Sequence, residues 1–408
     1  MRVHPLQTFR TLTRDFSPDQ RRAASVAALA HALHDGYTDL IYIMLPLWQS
    51  EFGLSYAALG ALRGVFAGAM ASLQIPAGLL SERLGAATVL ALGTALAGLG
   101  YCLAGASTGF GLLVVALFIG GMGASAQHPI ASALVARAFA GPRSLKALGT
   151  YNFAGDIGKM TVPATLSLLL LVMAWRPALA LLGSIGVVLA VVIFMVTPRF
   201  EQRTGAEPDA TKVVDDRPRK PLAFLLLLAI GIIDSATRMG FLLFLPFVLT
   251  HKGASLQTVG LAMTLVFAGG ATGKLACAFI GARIGAMGTV WLTEGLTAAG
   301  ILALFPLPLD AALALLPLIG IALNGTSSVL YGSVPDLVEP SSRTRALSVF
   351  YTGTIGSGAI APTLFGLAGD AFGVWQALAL VAGLVLFTMP LAALLRPALP
   401  RGYGSRLA

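Results

Sequence analysis

Charged residues are scarce in this sequence. Asp, Glu, Lys and Arg together account for 11% of the 408 residues, whereas hydrophobic residues account for 56%. A soluble globular domain has about 25% charged residues, and water-soluble packing cannot bury this much apolar surface. The shortage of charge therefore excludes a soluble protein and predicts one that crosses a membrane several times.

Cysteine and the common catalytic motifs are also nearly absent. The two cysteines, Cys102 and Cys277, both lie in apolar stretches, so we expect neither a structural disulfide nor a cysteine-based metal site. The sequence has no Gly-x-x-x-x-Gly-Lys-Ser/Thr phosphate loop and no hydrolase or zinc motif. The basic N-terminus lacks the apolar run of a cleavable signal peptide. We expect no enzyme, no ATP-driven pump, no cofactor and no metal.

Long apolar runs are abundant instead. A bilayer core about 30 Å thick is crossed by ~20 helical residues, and twelve runs of about that length occur. The sequence therefore predicts an all-α membrane protein with twelve transmembrane helices. Their approximate limits are 25–48, 56–80, 87–106, 110–136, 146–172, 176–197, 222–249, 256–281, 287–305, 311–335, 346–368 and 375–395.

Lysine and arginine are distributed unevenly between the connections. Most lie in the two tails and the even-numbered connections, whereas the opposite connections hold only Arg176 and Lys252. By the positive-inside rule both termini are cytoplasmic, in a multi-pass protein of the bacterial inner (plasma) membrane. The net charge of +9 thus reflects topology, and we expect contact with the lipid bilayer and not with nucleic acid.

The sequence repeats after about 200 residues. Pro46, Gly53 and Ser55 match Pro246, Gly253 and Ser255. This repeat predicts two pseudo-symmetric six-helix bundles, 25–197 and 222–395. A cytoplasmic linker at 198–221 joins them, and cytoplasmic tails at 1–24 and 396–408 flank them. Two six-helix repeats joined in this way resemble major facilitator transporters.

Span 1 carries ionisable residues near the middle of the membrane, where charge is costly. Asp35 and Asp39 are four residues apart and share a helix face, so both are candidates for proton exchange. The repeat aligns Asp39 with Arg238 of span 7. We therefore expect Asp39 to pair with Arg238 and Asp35 to bind the proton, although a fixed set of ion pairs is an open alternative.

Further candidates lie on spans 4, 5 and 8. His128, before Pro129, is either a proton relay or a hydrogen-bonded residue that organises a kink. Asp156 and Lys159 are three residues apart and can pair within span 5, unless Lys159 engages an anionic group. The residues expected to line a substrate cavity are His34, Asn152, Asp156, Lys159, Asp234, Arg238 and Lys274.

Two other charged residues in spans have simpler interpretations. Arg63 lies near the outer end of span 2, where its long side chain could reach the membrane surface. Glu294 lies on a span expected at the periphery, where a structural partner is the preferred interpretation.

The connection between spans 2 and 3 resembles the Gly-x-x-x-Asp-Arg-x-Gly-Arg-Arg signature of the facilitator superfamily. It holds Glu82 in place of the aspartate, followed by Arg83. Arg283 occupies the equivalent place in the second half. The resemblance implies that these three residues form a conformational latch and do not bind substrate.

Residues 31–165 resemble the fosmidomycin-resistance family of facilitators. The matching stretches are His31-x-x-His-Asp35, Leu45-Pro-Leu-Trp-Gln-Ser-Glu-Phe52 and Gly121-Met-Gly-Ala-Ser-Ala-Gln-His-Pro129. The resemblance implies proton-coupled export of a toxic small molecule, by proton antiport. We also expect a functional monomer. His34, Asp156 and Lys159 depart from the family pattern and make the cavity more charged. Proton-coupled uptake of a small charged metabolite, or a receptor or assembly factor without transport, are the alternatives.

Overall fold

A computed structural model describes residues 16–139, 142–198, 220–339 and 342–399. Throughout these ranges the chain is helical apart from short connections, and it contains no strand. Long apolar runs favour helices because a helix satisfies its own backbone hydrogen bonds within lipid. The predicted all-α class is confirmed. Most of the predicted N-terminal tail, linker and C-terminal tail lies outside the described residues.

The described residues of the first half form eight helices. They are α1 (Pro18–Phe52), α2 (Tyr56–Ser72), α3 (Gln74–Leu84), α4 (Ala86–Gly105), α5 (Phe110–Ala124), α6 (Gln127–Ala138), α7 (Pro142–Leu169) and α8 (Trp175–Val196). The helices of the second half are α9 (Pro221–His251), α10 (Leu256–Ala303), α11 (Leu309–Ser333), α12 (Arg343–Phe372), α13 (Val374–Leu386) and α14 (Thr388–Leu395). Short 3₁₀ turns at Val334–Asp336 and Arg396–Ala398 follow α11 and α14.

Several predicted spans are bent or joined. Helices α2 and α3 meet at an angle of 44°. Helix α5 ends at Ala124, and α6, which carries His128 and Pro129, begins at Gln127. Helix α10 contains two predicted spans, and between them Gly285 has a φ of 78° that interrupts the helical backbone. Gly85 has a φ of 86° at the start of α4, so the equivalent connection in each half uses a glycine with positive φ.

Seven helical stretches of the described chain are long and apolar enough to cross a membrane, or eight if the bent pair α2–α3 is one span. Two helices outside this set, α1 and α7, carry the ionisable side chains noted above. Lipid-facing positions are apolar, as shown by α8, where the side chains of Val188 and Met195 are 64% and 77% exposed. The chain is therefore a multi-pass membrane protein.

The internal repeat recurs as repeated local structure. Gly53 ends α1 with a φ of 62°, and Gly253 follows α9 with a φ of 87°. Ser55 and Ser255 then cap α2 and α10, and each side-chain oxygen accepts a hydrogen bond of 3.2 Å from the backbone N–H three residues later. Such caps satisfy N–H groups that a helix start leaves free. The matching residues therefore perform the same structural task in both halves.

The two halves meet closely beside these glycine turns. A side chain at Gly60 of α2 would overlap the backbone of Pro362 in α12. Asp370, also on α12, accepts hydrogen bonds from the backbone N–H groups of Tyr56 and Ala57 at 2.7 and 2.9 Å. An acidic group at a helix N-terminus is stabilised by free N–H groups and by the helix dipole. Asp370 thus caps α2 from the other half of the chain.

Candidate functional site

A cavity of about 490 Å³ lies between the two halves of the chain. It is bordered by α1, α2, α6 and α7 from the first half and by α9, α10, α11 and α12 from the second. Its ionisable and polar lining residues are His31, Asp35, Arg63, His128, Asn152, Asp156, Lys159, Asp234, Ser235, Arg238, Lys274, Ser327, Ser328, Tyr331, Tyr351 and Thr354.

Most residues predicted for the cavity border it, but two span 1 residues do not. His34 is 2% exposed, and its Nε2 lies 3.0 Å from the hydroxyl of Thr94 on α4. Its predicted place in the cavity is therefore wrong. Asp39 is 5% exposed and lies one helical turn beyond Asp35, outside the lining.

Small residues bring α1 and α7 close together. A side chain at Gly158 would overlap the carbonyl group of Ala32, and a Cβ at Gly155 would lie 2.7 Å from Asp35 Oδ2. Glycine at these positions lets two helix backbones approach closely, as is common in membrane proteins. The close approach carries Lys159 of α7 to the carboxylate of Asp35 on α1.

Asp35 is the centre of a cluster of basic groups. Its carboxylate lies 3.4 Å from Lys159 Nζ, 3.3 Å from His31 Nε2 and 3.7 Å from His128 Nε2. His31 Nδ1 lies 2.9 Å from the backbone oxygen of Tyr151, which only accepts, so Nδ1 carries a proton. When Nε2 of His31 is protonated as well, the positively charged ring attracts the Asp35 carboxylate. Asp35 is therefore a carboxylate held by its neighbours.

The same cluster has the composition of a metal site. The ligand atoms of His31, Asp35 and His128 lie within 4.8 Å of one another. Lys159 Nζ, however, is 3.4 Å from the same carboxylate, and its positive charge repels a cation at that place. The arrangement suits an internal ion pair better than a bound metal ion.

The remaining cavity carboxylates, Asp156 and Asp234, each pair with one cation. Asp156 lies 2.5 Å from Lys274 Nζ of α10, not beside Lys159. Arg238 Nη2 lies 2.5 Å from Asp234 Oδ2, four residues earlier on α9. The predicted pair of Arg238 with Asp39 is therefore wrong, because the i,i+4 partner on its own helix holds the guanidinium. No ion pair within 4 Å involves Asp39 in the part of the chain that the structure describes.

Arg63 is a buried cation without a carboxylate partner. Arg63 is 3% exposed, so the expectation that its side chain reaches the membrane surface is wrong. Nε donates to the hydroxyl of Tyr42 at 3.1 Å, Nη2 lies 3.9 Å from the sulfur of Met239, and Nη1 has no hydrogen-bond partner. Across the described ranges, no carboxylate lies within 4 Å of its guanidinium.

The charges around the cavity do not balance. The lining includes four cations, Arg63, Lys159, Arg238 and Lys274, and three carboxylates, Asp35, Asp156 and Asp234. Three cations are paired with these carboxylates, and Arg63 is left over. Asp39, outside the lining, is close enough to interact electrostatically with Arg63, but it forms no ion pair within 4 Å, and Nη1 of Arg63 has no acceptor. A buried donor without a partner is unfavourable, so the site suits a ligand that brings anionic oxygen atoms.

Other predicted residues lie apart from the cavity. Glu82 and Arg83 occupy the last turn of α3, and Arg283 comes two residues before the interruption at Gly285. Their role as a latch stays a prediction. Glu294, expected at the periphery, is 1% exposed and lies against Asp234.

Comparison with known families decides the identity of the fold. The model of the Major Facilitator Superfamily matches residues 27–310 and 227–406. The chain belongs to the Major Facilitator Superfamily. A bacterial homologue of the human lysosomal transporter Spinster, solved in an inward-facing and unoccupied conformation, matches this facilitator with a TM-score of 0.79. The match covers 94% of this chain and 98% of that chain at 16% identity, which supports the fold alone.

Two curated relatives are more similar in sequence. The facilitator is 27% identical to a probable L-galactonate transporter of Escherichia coli (strain K12) over 265 residues, which are 60% of this chain and 56% of that relative. It is also 27% identical to the fosmidomycin resistance protein of the same strain over 272 residues, or 65% and 66% of the two chains. The matches cover less than two thirds of either relative's length. The predicted resemblance to the fosmidomycin-resistance family is confirmed.

Proposed function

We propose that this facilitator is a secondary transporter that moves a small organic anion across the bacterial inner membrane by alternating access, coupled to protons. The observation that carries the proposal is the unpaired Arg63 guanidinium at the cavity. A guanidinium presents donors that match a carboxylate or phosphate group. An anionic substrate would supply the direct ion-pair partner that Arg63 lacks.

The other three cations would respond to the same substrate. Lys159, Arg238 and Lys274 are each held by one carboxylate of the protein. An incoming anion would compete with Asp35, Asp234 or Asp156 for these groups. Since Lys274 and Asp156 belong to different halves, such competition would loosen a contact between the halves when substrate binds.

Asp39 is our choice for the coupling proton. It is buried and has no ion pair within 4 Å among the described residues, whereas Asp35 is held by Lys159. Lys159, Arg63 and Arg238 are close enough to influence its charge. A negative substrate at Arg63 would weaken that positive surrounding and favour proton binding by Asp39. Asp35 and His128 then tune the local charge.

The architecture we propose for this cycle is two six-helix bundles, 25–197 and 222–395, with both termini and the 198–221 linker in the cytoplasm. The repeated turns at Gly53 and Gly253 support this division. One chain contains the whole cavity, so we propose a functional monomer. Glu82, Arg83 and Arg283 would act as the latch at the cytoplasmic face.

Export of a toxic compound is the second candidate. The relationship to the fosmidomycin resistance protein favours it. A deletion strain separates the two directions: loss of growth on one organic acid supports uptake, whereas increased sensitivity to a toxic compound supports export.

The test is binding of small organic anions to the purified protein, beginning with L-galactonate and its neutral parent sugar. We expect the anion to bind and the neutral sugar not to bind. Arg63→Gln should weaken binding about 10- to 100-fold, because a hydrogen bond to a charged group contributes about 1.5–3 kcal/mol. The matched control is Arg137→Gln, at an exposed arginine outside the cavity, which should bind as the wild type does.

Two results would contradict the proposal. One is equal affinity for anion and neutral sugar in the wild type. The other is unchanged anion affinity in a folded Arg63→Gln variant. If no solute in a broad panel binds or is transported, a receptor or assembly role on this fold is favoured instead.

A further inference from the structure

Glu294 is a buried acidic residue that the proposed cycle does not yet use. It lies on α10 with 1% of its surface exposed, and its Oε1 has no hydrogen-bond partner in the described chain. Its carboxyl group is close enough to Asp234 on α9 and to the Thr326 hydroxyl on α11 to interact with both. The side chain is therefore enclosed by groups from two neighbouring helices.

The charges around Glu294 balance only if one carboxyl group is neutral. Arg238 Nη2 lies 2.5 Å from Asp234 Oδ2 and supplies a single positive charge. Asp234 and Glu294 would supply two negative charges if both were ionised. Two neighbouring carboxylates have no donor between them and repel each other, so such pairs usually share one proton.

The hydroxyl groups nearby do not remove this requirement. Thr326 Oγ1 donates to Thr293 Oγ1 at 2.7 Å, and Thr293 Oγ1 donates to the backbone oxygen of Thr289 at 2.8 Å. Each hydroxyl has one proton to donate, and both protons are already used. Neither hydroxyl therefore has a further proton for Glu294, and the proton between Glu294 and Asp234 has to belong to that pair.

We propose that Asp234 and Glu294 share a proton and form a second proton-binding site, in the second half of the facilitator. The other charged or titratable groups that face the pair are Arg238 on α9 and Tyr331 on α11. Asp234 and Arg238 border the cavity, whereas Glu294 lies behind them. Glu294 is thus a positioning residue that sets the charge of Asp234.

This site would connect substrate binding with proton uptake, and in this respect it rests on the proposed function. An anion that binds Arg238 takes the guanidinium away from Asp234. The Asp234 carboxylate then lies beside Glu294 without a counter-charge, and a second proton neutralises it. When the anion leaves, Arg238 returns and the extra proton is released. The pair therefore adds one proton to each transported anion.

The direct test needs no substrate. Infrared spectra of the purified protein at neutral pH report the carbonyl stretch of protonated carboxylic acids, which shifts in D₂O. We expect Glu294→Gln to remove one buried carboxylic acid band and Glu294→Asp to shift it. The control Asp310→Asn, at an exposed acid in the first turn of α11, should leave this band unchanged. Identical wild-type and Glu294→Gln spectra would overturn the proposal.

A transport measurement then tests the coupling. In proteoliposomes with L-galactonate, the ratio of protons to anions should fall by one in Asp234→Asn, because this variant lacks the carboxylate that takes up the second proton. An unchanged ratio in a folded Asp234→Asn variant that still transports the anion would overturn the coupling role of the pair. If the infrared band is found but the wild type moves no anion, the proposed substrate class fails and the shared proton stands. If the wild type transports the anion and the band is absent, only the second proton site fails.

Discussion

At the scale of single residues, two aspartates on one helix face have different surroundings. Asp35 is held by Lys159 and two histidines, and Asp39 has no ion pair within 4 Å in the described ranges. Removing one member of a buried ion pair leaves an uncompensated charge, which is strongly destabilising. A buried carboxyl group without a partner is better suited to gain and lose a proton. These different surroundings support the different roles that we propose for Asp35 and Asp39.

Asp39→Asn should separate exchange from coupling. Asparagine resembles the protonated carboxyl group and cannot release a proton. We expect the variant to exchange internal for external anion at a near wild-type rate but to move one proton fewer per anion, so that accumulation driven by a pH gradient is reduced. Proteoliposome uptake with and without the gradient measures both.

Asp35→Asn and Asp310→Asn are the comparisons for that experiment. Asp35→Asn leaves Lys159 without its carboxylate, so we expect lower thermal stability and loss of both activities. Asp310→Asn should behave as the wild type. Full gradient-driven accumulation by Asp39→Asn would show that Asp39 does not carry the coupling proton.

Helical spacing alone predicted ion pairs only in part, because Asp156 pairs with Lys274 of α10 and not with Lys159 on its own helix. Helical spacing brings Asp234 and Arg238 onto one face, and the structure joins them. The pair of Lys274 with Asp156 joins residues 118 positions apart, and no local pattern specifies such a contact. The prediction that Arg63 reaches the membrane surface was wrong because its position along span 2 does not show which groups surround it. In the structure its guanidinium donates a hydrogen bond to the buried hydroxyl of Tyr42.

At the scale of helices, the contact between α1 and α7 builds the charged cluster. The backbone of α7 at Gly158 lies directly against Ala32 of α1. This distance allows Lys159, the next residue, to reach Asp35. Packing of small residues and the ion pair therefore depend on each other.

Gly158→Ala should disturb this contact. The added methyl group overlaps the Ala32 carbonyl, and overpacking of a close contact costs about 1–3 kcal/mol. We expect a lower melting temperature of the solubilised protein and weaker anion binding. Gly149→Ala is the matched control, because it lies on the same helix with no atom within 4 Å of the added Cβ. Equal melting temperatures for Gly158→Ala and the wild type would contradict the packing account.

The existence of most helices followed from the apolar runs, but their bends did not. Predicted limits such as 176–197 agree with α8 to within a residue. The 44° bend between α2 and α3 depends on contacts with other helices, which an apolar run does not encode. The repeated glycines in the sequence indicated the left-handed turns. Gly53 and Gly253 adopt a positive φ that other residues rarely tolerate.

At the scale of the whole molecule, contacts between the halves surround the cavity at two levels. Asp370 caps α2 beside the glycine turns, and the pair of Asp156 with Lys274 crosses at the cavity itself. Alternating access requires these contacts to break and re-form as the halves move. The charged cavity contact would respond to an anion, and the Asp370 cap would then open with the rest of that face.

The central claim is that proton flow and anion flow are coupled in this facilitator. The most direct test is to reconstitute the wild-type protein in proteoliposomes and to measure L-galactonate and proton movement together, with no other gradient present. We predict that a pH gradient alone drives accumulation of the anion, that the anion alone moves protons, and that Arg63→Gln reduces both flows about 10- to 100-fold at anion concentrations below saturation. Anion uptake that is insensitive to the pH gradient, or coupled flow at the wild-type rate in Arg63→Gln under these conditions, would contradict this account.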